Sequence, residues 1–312
     1  MLELRADLRR QAGVTGMTDR VGFIGLGNMG APMAKRLLDR PGGLTVCDMR
    51  PEVVVTYTDA GANAADTPAA VAEQAEVISI AVVDDAQVRG VVDGPDGILR
   101  TAKPGSVIAI HSTISDATAE ELAGICASHD VEFVDAPVSG GAPGANRGVL
   151  AVMVGGTETA FQRVREPFGA FADLIVHAGP VGAGTRMKLA RNLLHFAAFT
   201  AATEAQRLAE AAGLDIAALG KVVRHSDAVT GGAGAIMLRD TTAAIEEGDF
   251  WLPILSHARD LGEKDLSLAM ELGERLGVAL PFAELAIDGL GIGLGVGTGP
   301  IATKKRSGGS PA

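Results

Sequence analysis

The chain has 312 residues, 47% of them hydrophobic and 21% charged, and a formal net charge of -11. That length and apolar share suffice for two domains with sizeable cores. The negative charge argues against nucleic acid and anionic membrane surfaces as partners, because a phosphate-binding face needs clustered Lys and Arg. Cys47 and Cys126 are too few for a disulfide framework, and no uncharged apolar run reaches about 18 residues, so a reducing cytoplasm without a membrane span is expected. No metal is expected.

Residues 1–16 mix charges (Glu3, Arg5, Asp7, Arg9, Arg10) and lack the apolar core of a secretory signal, so they read as a disordered extension before Met17. From there, short β-branched runs alternate with Ala-rich helical stretches. The strand candidates are VGFIGL (21–26), LTVCD (44–48), VISIAVV (77–83), SVIAIHS (106–112), VEFVDAPV (131–138) and LAVMVGG (150–156). The alternation predicts an α/β domain over 17–180 with a parallel, doubly wound sheet. After Gly184 the strand signals stop. Apolar periodicity predicts helices over 187–212, 216–225, 232–246, 252–277 and 281–289, an all-helical domain spanning 181–290. The Gly-rich run 289–300 and the closing TKKRSGGSPA predict a flexible tail over 291–312.

The strongest local motif is VGFIGLGNMGAPMAKRLL, in which Gly25, Gly27 and Gly30 form G-x-G-x-x-G between a strand and a helix. The first glycine permits a tight turn, the second lets a pyrophosphate approach the backbone, and the third lets helix pack on strand. Gly25, Leu26, Gly27, Asn28, Met29 and Gly30 are therefore candidate dinucleotide-binding residues in a Rossmann-like domain. Asp48 ends the next strand about 20 residues on, where a carboxylate accepts hydrogen bonds from ribose hydroxyls. It favours NAD, since it would repel a 2′-phosphate. Arg50 offers such a phosphate a cation, so NADP is the second choice.

Thr113 and Ser112 follow a strand and read as cofactor contacts or plain turn residues. Ser139, Gly140 and Gly141 end another strand, where open α/β sheets gather ligands; a Ser-Gly-Gly turn presents N–H groups to a carboxylate, or is an ordinary turn. Lys188 and Asn192 are four residues apart and share a helix face, with His195 a turn further along. On the expected boundary, Lys188 falls in the first turn, against the helix dipole, which suggests function. A partly buried ammonium has its pKa pulled down toward the range of a general acid/base. Asn192 would orient the substrate. His111 and His195 are alternative proton shuttles or structural residues.

These motifs, with HSTIS, DAPVSGGAPGANRGVLAVMVGG, GAGTRMKLARN and EKDLSLAMELGERLGVALP, resemble the β-hydroxyacid dehydrogenases of the 3-hydroxyisobutyrate dehydrogenase and tartronate semialdehyde reductase type, over residues 20–290. The resemblance implies a Rossmann-like domain joined to a helical, dimer-building domain, in a homodimer or homotetramer. It implies hydride transfer between NAD(H) and a small 3-hydroxycarboxylate or its semialdehyde, with Lys188 catalytic. It also implies Ser139, Gly140, Gly141 and Asn192 binding substrate, Lys264 reaching the cofactor, and Thr113 near the nicotinamide end. Two departures stand out. Val82 and Val83, also expected near the cofactor, replace the usual Leu-Pro, and Arg191 replaces the usual Asn or His. The rival readings are a non-catalytic dinucleotide sensor, an imine reductase and a phosphogluconate dehydrogenase.

Overall fold

The computed structural model describes residues 19–297, apart from residues 238 and 240 and the side chain of residue 268. The expected extension at 1–16 and the tail beyond 297 lie outside the described residues. β1 (Val21–Ile24), β2 (Leu44–Cys47), β4 (Val77–Ile80), β5 (Val107–Ile110), β6 (Glu132–Asp135) and β8 (Leu150–Gly155) fall inside the six expected runs. Patterning missed β3 (Asn63–Ala64) and β9 (Ala172–Gly179), and did not separate β7 (Val138–Ser139) from β6. Pro137 makes that break, because it has no N–H to continue the ladder.

The sheet order is β3-β2-β1-β4-β5-β6-β8-β7, with β9 beside β8. Pairing from β3 through to β6 is parallel, as the alternation predicts. Beyond β6 the sheet is mixed, since β8 runs antiparallel to both β6 and β7 and parallel to β9. Only α6 (Gly141–Arg147) links β7 to β8, and antiparallel partners tolerate so short a connection.

Strand side chains alternate between two apolar cores. Phe23, Val46, Val77, Val107, Ala109 and Val134 face one, while Ile24, Ile78, Ile80, Ile108, Ile110 and Phe133 face the other. Burial on both faces is why these strands read as continuous apolar runs. The covering helices are α1 (Gly30–Lys35), α2 (Pro51–Thr58), α3 (Pro68–Gln74), α4 (Asp85–Asp93), α5 (Asp116–Ala127), α6 and α7 (Glu158–Phe168). Thr67, Asp84, Ser115 and Thr157 cap α3, α4, α5 and α7 by accepting first-turn N–H groups.

Two compact units divide between Arg191 and Asn192. The division falls inside α8 (Ala183–Ala211), beyond the boundary expected at residue 180. α8 starts four residues before the expected 187, so Lys188 sits in its second turn and not its first. In the second unit, α9 (Ile216–Thr230) is capped by Asp215, which accepts the N–H groups of Ala217 and Ala218, and α10 (Trp251–Leu276) packs on α11 (Pro281–Gly293). The helix expected over 232–246 is absent among its described residues, which hold only a 3-10 turn at Gly232–Gly234. Gly231, at a φ of 90°, is the left-handed cap that stops α9.

The glycine-rich run at 289–293 is the end of α11, and Leu294 is buried. This part of the run is helix rather than the flexible stretch expected there; a Cβ on Gly291 would lie 3.0 Å from Arg259 Cδ, whereas at Gly289 and Gly293 nothing lies within 4 Å.

Candidate active site

The glycine turn follows β1. Gly25 takes φ 92° and donates its N–H to the Cys47 carbonyl at 2.9 Å, and a Cβ there would lie 2.5 Å from the Ala81 carbonyl oxygen. A Cβ on Gly30 would sit 1.9 Å from the Gly25 carbonyl oxygen, so α1 reaches β1 only through glycine. At Gly27 nothing lies within 4 Å of the equivalent position. That open face, beside the N-terminal end of α1, fits a pyrophosphate. Leu26 is buried beneath the turn, while Asn28 is exposed.

Asp48 closes the far side. Its Oδ2 accepts the Leu26 N–H at 2.6 Å, and its Oδ1 accepts the Arg50 N–H at 2.9 Å and the Arg50 Nε at 3.0 Å. Burial opposes the charge on Asp48, but the Arg50 guanidinium and these backbone N–H groups hold its carboxyl below the ordinary value. Arg50, otherwise exposed, is thereby paired with a carboxylate that would compete with a phosphate for it.

A cleft of about 250 Å³ opens at the carboxyl ends of the strands. It brings together five of the predicted residues: Met29, Val82, Thr113, Gly141 and Lys188. Val83 instead points outward at 80% exposure. Its N–H donates to Gln87 Oε1 at 3.0 Å, a bond the proline usual at this position could not make. Ser112 Oγ accepts the Val82 N–H at 3.0 Å and donates to the Val82 carbonyl at 2.7 Å, tying the loop after β4 to the loop after β5.

His111 is also in the cleft wall. Complete burial among Phe23, Phe168 and Phe171 pushes its pKa down to about 4. The Ala136 carbonyl, 2.8 Å from Nδ1, can only accept, so Nδ1 carries the proton and Nε2 accepts from Ser79 Oγ at 3.1 Å. His195 packs against the rings of Phe196 and Phe199.

Lys188 is half-buried, and its Nζ donates to the Val138 carbonyl at 2.7 Å. Burial lowers its pKa from the ordinary 10.5, and the nearby charge of Arg191 lowers it further. Gly140 and Gly141 take φ 127° and 63° where β7 turns into α6. Asn192 lies one turn beyond Lys188 on α8, half-buried, in the second unit. Lys264, on α10, is exposed, with its ammonium 3.0 Å from Asp265 Oδ1.

Sequence reasoning missed the Val138 carbonyl and Asp135. For Asp135 a signal was present: an acid inside the apolar run VEFVDAPV.

Residues 20–179 match the family described as the NAD binding domain of 6-phosphogluconate dehydrogenase. Residues 182–290 match the one described as NAD-binding of NADP-dependent 3-hydroxyisobutyrate dehydrogenase. The chain belongs to the 3-hydroxyisobutyrate dehydrogenase family. Among members of this hydroxyacid dehydrogenase family, an uncharacterized oxidoreductase of Mycobacterium tuberculosis H37Rv is 60% identical, covering 89% of this chain and 94% of its own. The 2-(hydroxymethyl)glutarate dehydrogenase of Eubacterium barkeri is 33% identical over 88% of this chain and 91% of its own. The structure of Mycobacterium tuberculosis 3-hydroxyisobutyrate dehydrogenase with L-serine superposes with a TM-score of 0.62 at 30% identity, covering 87% of this chain and 92% of that one. As in the family, the domain carrying the glycine turn binds NAD(P).

Proposed function

We propose that this protein transfers hydride between NAD(H) and a small 3-hydroxycarboxylate or its semialdehyde, with Lys188 as general acid/base. The observation that carries the reading is a half-buried ammonium of lowered pKa in the cleft that Met29, Val82 and Thr113 also line. The dinucleotide, when bound, supplies the hydride acceptor or donor. In oxidation, neutral Lys188 takes the proton of the substrate hydroxyl. In reduction, its ammonium returns a proton to the forming alkoxide. Ser139 and the N–H groups of Gly140 and Gly141 hold the carboxylate, Asn192 orients the substrate, and Lys264 contributes to cofactor binding.

The relatives support a 3-hydroxycarboxylate. 2-(Hydroxymethyl)glutarate, 3-hydroxyisobutyrate and L-serine share a hydroxymethyl group on the carbon that bears a carboxylate, and the cleft offers a proton acceptor and N–H donors to that pair. Asp48 supports NAD over NADP: its carboxylate would repel a 2′-phosphate, and Arg50 already serves Asp48.

Among the described residues no helix is long and apolar enough to cross a membrane, and Cys47 and Cys126 are free and buried. Leu193, Phe196 and Phe199 on α8 are more than half exposed, as are Val222 and Val229 on α9. Apolar exposure of this kind marks an interaction surface and supports a homodimer or homotetramer.

The test is a screen of 3-hydroxyisobutyrate, 2-(hydroxymethyl)glutarate, L-serine, 3-hydroxypropionate, glycerate and their semialdehydes with each dinucleotide. Turnover is expected with a 3-hydroxycarboxylate and with NAD preferred, and Asp48→Ala should narrow the NAD:NADP ratio of kcat/KM. The methyl ester of the best substrate should lose about 2 kcal/mol of transition-state binding, roughly 30-fold in kcat/KM, because it strands the N–H donors. Silence across the panel would favour a sensor, and an equally good ester would remove the carboxylate site.

The Arg191 charge predicts a pH effect. A neighbouring cation disfavours the Lys188 ammonium, so Arg191→Ala should raise the Lys188 pKa. The kcat profile for oxidation, which rises as Lys188 deprotonates, should move to higher pH, and turnover at neutral pH should fall. An unmoved profile would take Arg191 out of the site's electrostatics.

A further inference from the structure

The strand that ends beside the cleft also holds the helix that carries Lys188. Asp135, the last residue of β6, is fully buried; its Oδ1 accepts the Gly182 N–H at 2.7 Å and its Oδ2 accepts the Thr185 N–H at 2.6 Å. A buried carboxylate is costly unless its oxygens are satisfied, and here the partners are N–H groups at the positive end of α8. Glycine makes the approach possible. A Cβ on Gly155 would lie 2.3 Å from Asp135 Oδ1, and one on Gly184 would lie 2.6 Å from the Asp135 carbonyl oxygen and 2.3 Å from that of Met153.

Val138, three residues past Asp135, supplies the carbonyl that accepts from Lys188 Nζ. Thr185 and Lys188 are three apart, neighbours on one side of the helix. One short segment, Asp135 to Val138, thus grips both the first turn of α8 and the tip of its lysine.

We infer that Asp135 is the positioning residue for Lys188: by fixing the start of α8 to the end of β6 it sets where the ammonium stands in the cleft. The inference rests on the reading of Lys188 as acid/base. Asp135→Asn keeps the side-chain shape but turns an amide NH2 toward one of the two backbone N–H groups, replacing a hydrogen bond with a donor facing a donor. Displacing a catalytic group by about 1 Å costs about 10²-fold. In Asp135→Asn, kcat should accordingly fall roughly 10- to 100-fold, with the Kd for NADH within about 3-fold of native. In a Lys188→Ala background rescued by ethylamine, Asp135→Asn should change the rescued rate by less than about 3-fold, because a free amine is not held by α8.

A folded Asp135→Asn with native kcat, or an equal loss in the amine-rescued background, would overturn the inference. A fully active Lys188→Ala would instead overturn the acid/base reading. Native hydrogen exchange decides independently of how the variant folds: the Gly182 and Thr185 amides should be protected as well as those of β6, and exchange at loop rates would refute the clamp.

Discussion

Lys188→Ala should lose about 10²–10⁴ of kcat for hydroxyacid oxidation, the usual cost of removing a positioned general acid/base. NADH affinity should stay within a few-fold of native, because the glycine turn and Asp48, proposed to hold the dinucleotide, lie at the ends of β1 and β2, whereas the Lys188 ammonium donates to the Val138 carbonyl. The structure also removes the simplest substitute. His111 is the other ionisable side chain lining the cleft, and with its pKa pushed down to about 4 it stays neutral, its Nδ1–H donating to the Ala136 carbonyl. Stopped-flow kcat beside fluorescence titration of NADH separates the two effects. Turnover within a few-fold of native would end the case for Lys188. Collapse of NADH binding together with kcat would show that the lysine holds the cleft itself.

Gly30→Ala and Gly27→Ala should fail in opposite ways although they belong to one motif. At Gly30 the added Cβ meets the Gly25 carbonyl oxygen at 1.9 Å and Phe23 Cε1 at 3.1 Å. The first obstacle is backbone and cannot rotate aside, so α1 must lift from β1, at a cost on the order of 3 kcal/mol or more. At Gly27 the Cβ meets nothing within 4 Å. Its thermal midpoint should therefore stay near native, while NADH affinity should drop at least about tenfold, because a methyl group fills the open face beside the turn. Thermal unfolding with and without NADH reads both. Native NADH affinity in Gly27→Ala would mean that the pyrophosphate does not lie against this glycine.

Much of the fold was legible because a sheet buried on both faces writes itself as runs of Val, Ile and Phe, and six such runs mark six strands. The short β3 and the partly exposed β9 carry no such signature. Local rules also gave G-x-G-x-x-G, the acid after β2 and the lysine on α8, since each depends on neighbours close in sequence.

Tertiary contact decided the rest. The start of α8 could not be read from periodicity, because its first turn is secured by Asp135, 50 residues from Thr185. That contact moves Lys188 from the first turn to the second, so dipole opposition weakens as the explanation of its placement, and burial beside the Val138 carbonyl takes its place. The helix expected over 232–246 shows the converse: its apolar spacing was adequate, but Gly231, at positive φ, ended α9. The sequence by itself determined which residues can carry the chemistry, since residue type and local spacing are short-range properties. Only the folded chain decided which of them meet in one cleft and in what protonation state, because burial, carbonyl partners and neighbouring charge come from segments far apart along the chain.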